Sequence, residues 1–380
     1  MKKLSILLLI SLVISCTEKE KSEGTLAKNI LENLTYTVDT VAVDVGEEIF
    51  NPGMYYRYAK NENDPMVYFA MGENQEIHEI NLNSLSLTKR IFLEKDGPNR
   101  APRYIQDFDL LPTGEFFLAD YATQGIYTAE GEKTFGFQMD PDEFEGLEDD
   151  LTSLYFNLVL SPDKKNGFST PTKKMEFISQ IAMVDLEAKT GKLIDLPALE
   201  LTRNFRTTYS FENGSTTYGD FLNLKKIKNQ LFISSGSTSD IYIYDFATDS
   251  LTLKSFDHHL VPSKKSGEFP PRADSQERVE EIGDEIRKQV SFNQFYWDES
   301  REMYFRFASK SNGKTETGET KKQDIYLFAY DQDLNLIGET TLDLRYPPFR
   351  AFFYEGKLYS YLPVEENPGF VIFDLKFTPN

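Results

Sequence analysis

Six positions along the chain carry a polar side chain, preceded by an apolar residue and followed five residues later by a tight turn: Arg57, Asp109, Asn157, Asn223, Asn293 and Arg350. Side chains that recur once per structural repeat come together when the repeats are arranged around an axis. Such a ring admits two kinds of chemistry. The side-chain oxygens of Asp109, Asn157, Asn223 and Asn293 are hard donors of the sort that hold calcium. The guanidiniums of Arg57 and Arg350 oppose that use, because they add positive charge where the cation would sit. They suit a bound carboxylate or phosphate instead. On the residues alone, a water-filled structural lining is the plainest account of the ring.

A second group is basic. Arg100, Arg103, Arg203, Arg206, Arg272 and Arg345 fall in the segments between repeats. They would either give an acidic protein a local anion-binding mouth or pair with the acidic run at 140–150. That run places Phe144 where a calcium loop requires an oxygen ligand, so it reads as a solvated loop. Tyr209, Phe211 and Tyr218 offer an aromatic surface to a glycan or a protein. Histidine chemistry has little to draw on: His78 lies in a strand, and the adjacent His258 and His259 read as solvated loop residues. No HExxH, GxSxG, phosphate-loop or dinucleotide fingerprint occurs.

The elements that must position these residues are short strands. Residues 104–139 contain four apolar runs, rich in aromatic and β-branched residues and broken by Pro-Thr-Gly, Ala-Thr-Gln-Gly and Glu-Gly, which read as a four-stranded antiparallel meander. Equivalent units are expected at 54–94, 154–197, 220–256 and 290–342, with a three-stranded set at 349–377. A pattern ending in Asn81, Asp185, Asp245 or Asp374 marks the third strand of four of them, the polar residue closing the strand in a turn. The alternating run 36–45 supplies the missing strand of the last unit, which would lock the two ends of the chain together. The expected fold is therefore all-β, a six-bladed propeller closed by its N-terminal strand, with one helical insertion. That insertion, about 275–289, has Val279, Ile282 and Ile286 at helical spacing behind Ser275 as cap, and is expected to lie over the mouth of the ring. Nearly all long insertions fall on the face opposite the tight turns, which marks it as the working face.

Gly114 to Asp120 followed by Gly125-Ile126-Tyr127 resembles the signature of six-bladed propellers of the NHL-like kind. The strand-borne ring is similar to the arrangement in six-bladed lactonases and related esterases, and that resemblance implies a central calcium. The chain as a whole resembles uncharacterised lipoproteins of Gram-negative bacteria, catalogued as a domain of unknown function, which implies the fold and an envelope address but no catalytic residues.

That address begins with Met1-Lys2-Lys3, an apolar run and the chain's one cysteine, Cys16, a secretory leader too short to span and stay. Val13-Ile14-Ser15-Cys16 resembles the lipobox of bacterial lipoproteins, which implies a signal peptide over 1–15 and a lipid on Cys16. A polar tether over 16–34 and the propeller over 35–380 would follow. Thr17 in place of Asp points to the outer membrane, facing the periplasm or the outside. A formal net charge of -20 opposes nucleic-acid binding, and one cysteine excludes a disulfide framework. The expectation is a membrane-tethered binding protein for a small anionic, glycan or protein ligand, with no cofactor and no catalysis. The alternative is a hydrolase that uses calcium or another metal at the ring.

Overall fold

A computed structural model of the chain describes residues 29–48, 56–61, 64–71, 75–174, 176–315 and 321–377. The expected signal peptide over 1–15, Cys16 and the expected tether as far as residue 28 lie outside them. The described residues form six four-stranded antiparallel sheets, here blades 1 to 6 with strands a to d from the axis outwards. Blade 1 is Tyr56–Lys60, Met66–Met71, Glu76–Asn81 and Ser86–Phe92; blade 2 is Asp107–Leu110, Phe116–Ala119, Gln124–Tyr127 and Lys133–Phe137. Blade 3 is Val159–Leu160, Asn166–Ser169, Gln180–Asp185 and Thr190–Asp195; blade 4 is Leu222–Ile227, Gln230–Ser235, Thr238–Asp245 and Ser250–Lys254. Blade 5 is Ser291–Asp298, Met303–Lys310, Asp324–Tyr330 and Leu336–Leu342. Blade 6 takes Ala351–Tyr354, Lys357–Tyr361 and Gly369–Lys376 from the end of the chain and its outermost strand, Thr35–Ala42, from the beginning.

Period-two alternation explains why these strands are apolar on both sides. Phe116 and Leu118 of strand b in blade 2 pack towards Ala70 and Ile77 of blade 1, while Phe117 and Ala119 pack towards Leu160 and Ala182 of blade 3. Leu231 and Ile233 face blade 3 and Phe232 faces blade 5 in the same way. Each blade-to-blade interface holds one such core. The ring is closed where Phe352, Tyr359 and Phe370 of blade 6 meet Tyr56, Val67 and Phe69 of blade 1.

The borrowed strand pairs in register from Thr35 opposite Lys376 to Ala42 opposite Gly369, ending before the expected Val45. Asp44 then bridges to Ser86 of blade 1. Three of the four third-strand turn residues act as expected: the carboxylates of Asp185 and Asp245 and the side-chain oxygen of Asn81 accept from backbone N–H groups two and three residues on. Asp374 instead lies inside its strand, Gly369–Lys376, opposite Thr37. In blade 2, which lacks the acid, Thr128 accepts from Glu130 N–H, and in blade 5 Asp331 accepts from Asp333 N–H.

Several expectations are corrected. Residues 29–34 belong to the fold rather than to a tether: Ile30 and Leu31 are buried against blade 5, and Asn29 exchanges hydrogen bonds with the backbone of Glu339. The insertion at 198–219 is structured, as a 3-10 helix Pro197–Phe205 and a hairpin of Arg206–Phe211 with Gly214–Gly219. The helical insertion is Gln276–Arg287, capped by Ser275, whose hydroxyl accepts from Arg278 N–H. Its apolar side chains Ile282 and Ile286 pack on Phe205, and Gly283 sits against Tyr218 of the hairpin. His258 is not solvated. It stacks among Phe256, Phe292 and Phe328, because the chain leaving blade 4 folds back under the blade 5 sheet.

Candidate functional site

The six a strands enclose a central cavity of about 1260 Å³, and Arg57, Asp109, Asn157, Asn223, Asn293 and Arg350 all line it. They do not form one flat ring, because the turns after the a strands differ in length. Two residues separate Ile227 from its partner Gln230, whereas five separate Leu110 from Phe116. A position counted back from the turn therefore falls at a different point along strand a in blade 2 than in blade 4.

The result is a rearranged site. Arg57 donates through Nε to Gln106 O at 2.5 Å and through Nη1 to Tyr56 O at 3.2 Å, and Arg350 donates through Nη1 to that same Tyr56 carbonyl at 2.5 Å. Two guanidiniums thus converge on one oxygen, with Arg350 also lying over the Tyr56 and Phe349 rings. Burial, and then the neighbouring Arg350, lower the pKa of Arg57, while Asp107 opposes them. The carboxylate beside Arg57 is Asp107, which the sequence reading missed. Its Oδ2 accepts from Leu158 N–H at 3.1 Å. Burial pushes its carboxyl up to about 7, against the pull of that N–H and of Arg57.

Asp109 lies deeper and is ion-paired with Lys226 of blade 4. The adjacent Lys225, also missed, reaches across the channel from blade 4 to the Tyr58 ring of blade 1, 5.2 Å from its centroid. Both missed groups were two residues from a recognised position, Asp107 before Asp109 and Lys225 after Asn223. In a strand that spacing puts side chains on the same face, and this is the signal that would have found them.

The amides are partly committed to structure. Asn157, in a left-handed turn with φ +50°, donates to Thr170 Oγ1 and to Leu222 O of blade 4. Asn223 donates weakly to Phe221 O at 3.4 Å. Asn293 lies at a bulge in its strand, and its carbonyl accepts from the buried Arg306. A cation at the ring would sit against Arg57 and Arg350, with Asp109 already paired. Among the described residues no three His, Cys, Asp or Glu side chains converge as a metal-ligand set.

The loop arginines are dispersed. Arg203 pairs with Glu200 and Arg272 with Glu176; Arg103 lies over Tyr104 and Arg345 over Tyr346. Arg100 is exposed, and its carbonyl accepts from the Tyr127 hydroxyl. Arg206 is stacked between Phe177 and Phe221, with Nη2 donating to Phe177 O. The acidic run pairs with lysines: Glu148 and Asp150 with Lys173, Glu143 with Lys189.

The sequence model of a family described as Domain of unknown function (DUF4221) matches residues 29–341. Among solved structures, the chain is similar to a member of that family from Bacteroides vulgatus, with 16% identity, a TM-score of 0.59, and coverage of 90% of this chain and 99% of that one. It is more distantly similar to a putative exported protein from Bacteroides fragilis, with 9% identity, a TM-score of 0.47, and coverage of 90% and 96%. The β-propeller domain of Cps50 (Swd1) from Myceliophteria thermophila gives 7% identity, a TM-score of 0.43, and coverage of 88% and 99%. No curated protein matches the chain.

Proposed function

This chain belongs to the DUF4221 family, and from that premise we propose that it is a cell-envelope binding protein, tethered at the outer membrane through a lipid on Cys16, that takes a small anionic ligand into its central channel. One observation carries the reading: Arg57 and Arg350 are held on a single carbonyl oxygen in a large cavity. The carboxyl beside them, Asp107, is one that burial drives towards its neutral form. Guanidiniums have five donors in a planar fork, so each retains N–H groups for a ligand. The ligand arrives from the insertion-bearing face, where Phe221, Phe349 and Ser291 line the channel mouth.

The binding test is calorimetric titration of small carboxylates and phosphates into the purified protein. Arg57→Gln and Arg350→Gln are each expected to weaken an anion that binds by about tenfold or more, the loss of one charge-assisted hydrogen bond. If no anion binds, or if both variants bind as the parent does, the reading fails. If instead calcium raises the melting temperature and Asp109→Ala abolishes the rise, the metal-dependent hydrolase replaces it. The anchor is tested separately: Cys16→Ser is expected to move the protein from the membrane fraction to the soluble one, and its retention in the membrane would refute lipidation.

A further inference from the structure

Lys225 stands apart from the other charged groups that have partners around the channel. Lys226 pairs with Asp109, Lys265 with Asp220, and Arg57 and Arg350 with backbone carbonyls. The Lys225 ammonium has only the face of the Tyr58 ring; no hydrogen-bond acceptor among the described residues takes its protons. The ring it lies on belongs to the arginine site. Tyr58 lies two residues beyond Tyr56, whose carbonyl Arg57 and Arg350 share, and its hydroxyl donates to the carbonyl of Ala351, the residue after Arg350. The amine and the paired guanidiniums thus line the same cavity.

An amine held this way is poised as a nucleophile. Burial lowers the Lys225 pKa from its ordinary range, with Asp109 opposing. Desolvated lysines without an acidic partner are the ones that add to carbonyl carbon. We propose that Lys225 forms a reversible imine with the carbonyl group of an anionic aldehyde or oxo acid whose carboxylate is seated on Arg57 and Arg350. The proposal rests on the anion-binding reading and names the class of its ligand. The lone pair of Nζ forms the C–N bond, the carbonyl C–O bond breaks, and both amine hydrogens leave with that oxygen as water. No oxidant, reductant or metal enters the balance.

The test uses the purified full chain in detergent, glyoxylate as probe and cyanoborohydride to fix any imine as a stable secondary amine, followed by peptide mapping. Lys225 is expected to be labelled at least about tenfold faster than any surface lysine at neutral pH, the gain expected from seating the carboxylate so that the carbonyl lies beside the amine. Arg57→Gln and Arg350→Gln should slow that labelling, and excess glycolate, which has the carboxylate but no carbonyl, should compete with it. Labelling spread evenly over surface lysines overturns the imine. Glycolate that binds without preferential labelling overturns the imine alone and leaves anion binding standing. Preferential labelling without glycolate binding keeps the reactive amine and removes the arginine site as its partner. Even labelling without glycolate binding removes both.

Discussion

Asp107 and His258 are both half-buried, and loss of water pulls on them in opposite senses. The carboxyl of Asp107 is pushed up to about 7 and the imidazole of His258 down to about 3, in the latter case by burial first and then by Arg306 and His259. Unfolded, they titrate near about 4 and about 6.5. Between those limits native Asp107 holds more proton than the unfolded chain, so its contribution to stability falls as pH rises from about 4 towards 7. Native His258 holds less, so its contribution rises across about 3 to 6.5. The two slopes oppose each other where they overlap, and single substitutions unmask them. Asp107→Asn is expected to leave stability climbing between pH 4.5 and 6.5, and His258→Gln to leave it falling, each by about 1–2 kcal/mol relative to the parent. Urea unfolding at the two pH values checks this, and slopes of the same sign in both variants would refute it. At this scale the sequence was partly legible. Residue types on the a strands were readable from their recurrence, but which carboxylate meets Arg57 depends on turn length in another blade. His258 looked like a loop residue because nothing local says that Phe292 and Phe328 will close over it.

The strand borrowed from the N-terminus was readable because an alternating run with no partner of its own and a blade one strand short are complementary facts. What precedes it was not. Asn29 to Leu34 are few and follow a polar stretch, and their use emerges only against blade 5, where Gly338 leaves room for them. A Cβ at Gly338 would come within 2.8 Å of Ile30 Cγ1 and Leu31 Cγ. Gly338→Val should therefore displace the segment, and Leu31→Ala should remove its most buried side chain, each costing about 2–4 kcal/mol. Both act on one contact, so the double variant is expected to lose little more than either single one. Additive losses would show that the segment does not work as a unit. The hairpin and 3-10 helix within 198–219 escaped a reading by period, because their apolar residues face each other and the helix Gln276–Arg287 across gaps in sequence rather than a blade. Phe205 meets Ile282 and Ile286 only after the whole insertion has folded.

At the scale of the whole ring, neighbouring blades are joined by apolar cores, and the channel adds ties between blades that are not neighbours. Lys226 of blade 4 reaches Asp109 of blade 2, while Lys225 of blade 4 lies on Tyr58 of blade 1. These crossings place polar side chains over the axis where no apolar side chain could bury itself from all directions. They also explain why a cavity of this size need not collapse: the ring is held open by its blade cores and spanned by charge. The Lys226 and Asp109 side chains are only 15% and 28% exposed, so water screens the pair less than it would a surface one. Removing one partner leaves the other charge half-buried and unpaired. Lys226→Ala and Asp109→Ala are each expected to cost about 1–2 kcal/mol, and the double variant no more than either, giving a coupling energy of about the same size. The ring is cooperative if that loss appears as one displaced unfolding transition. Hydrogen exchange that quickens only in blades 2 and 4, with the global transition unmoved, would mean the crossing tie is a local ornament and the blade cores alone hold the circle.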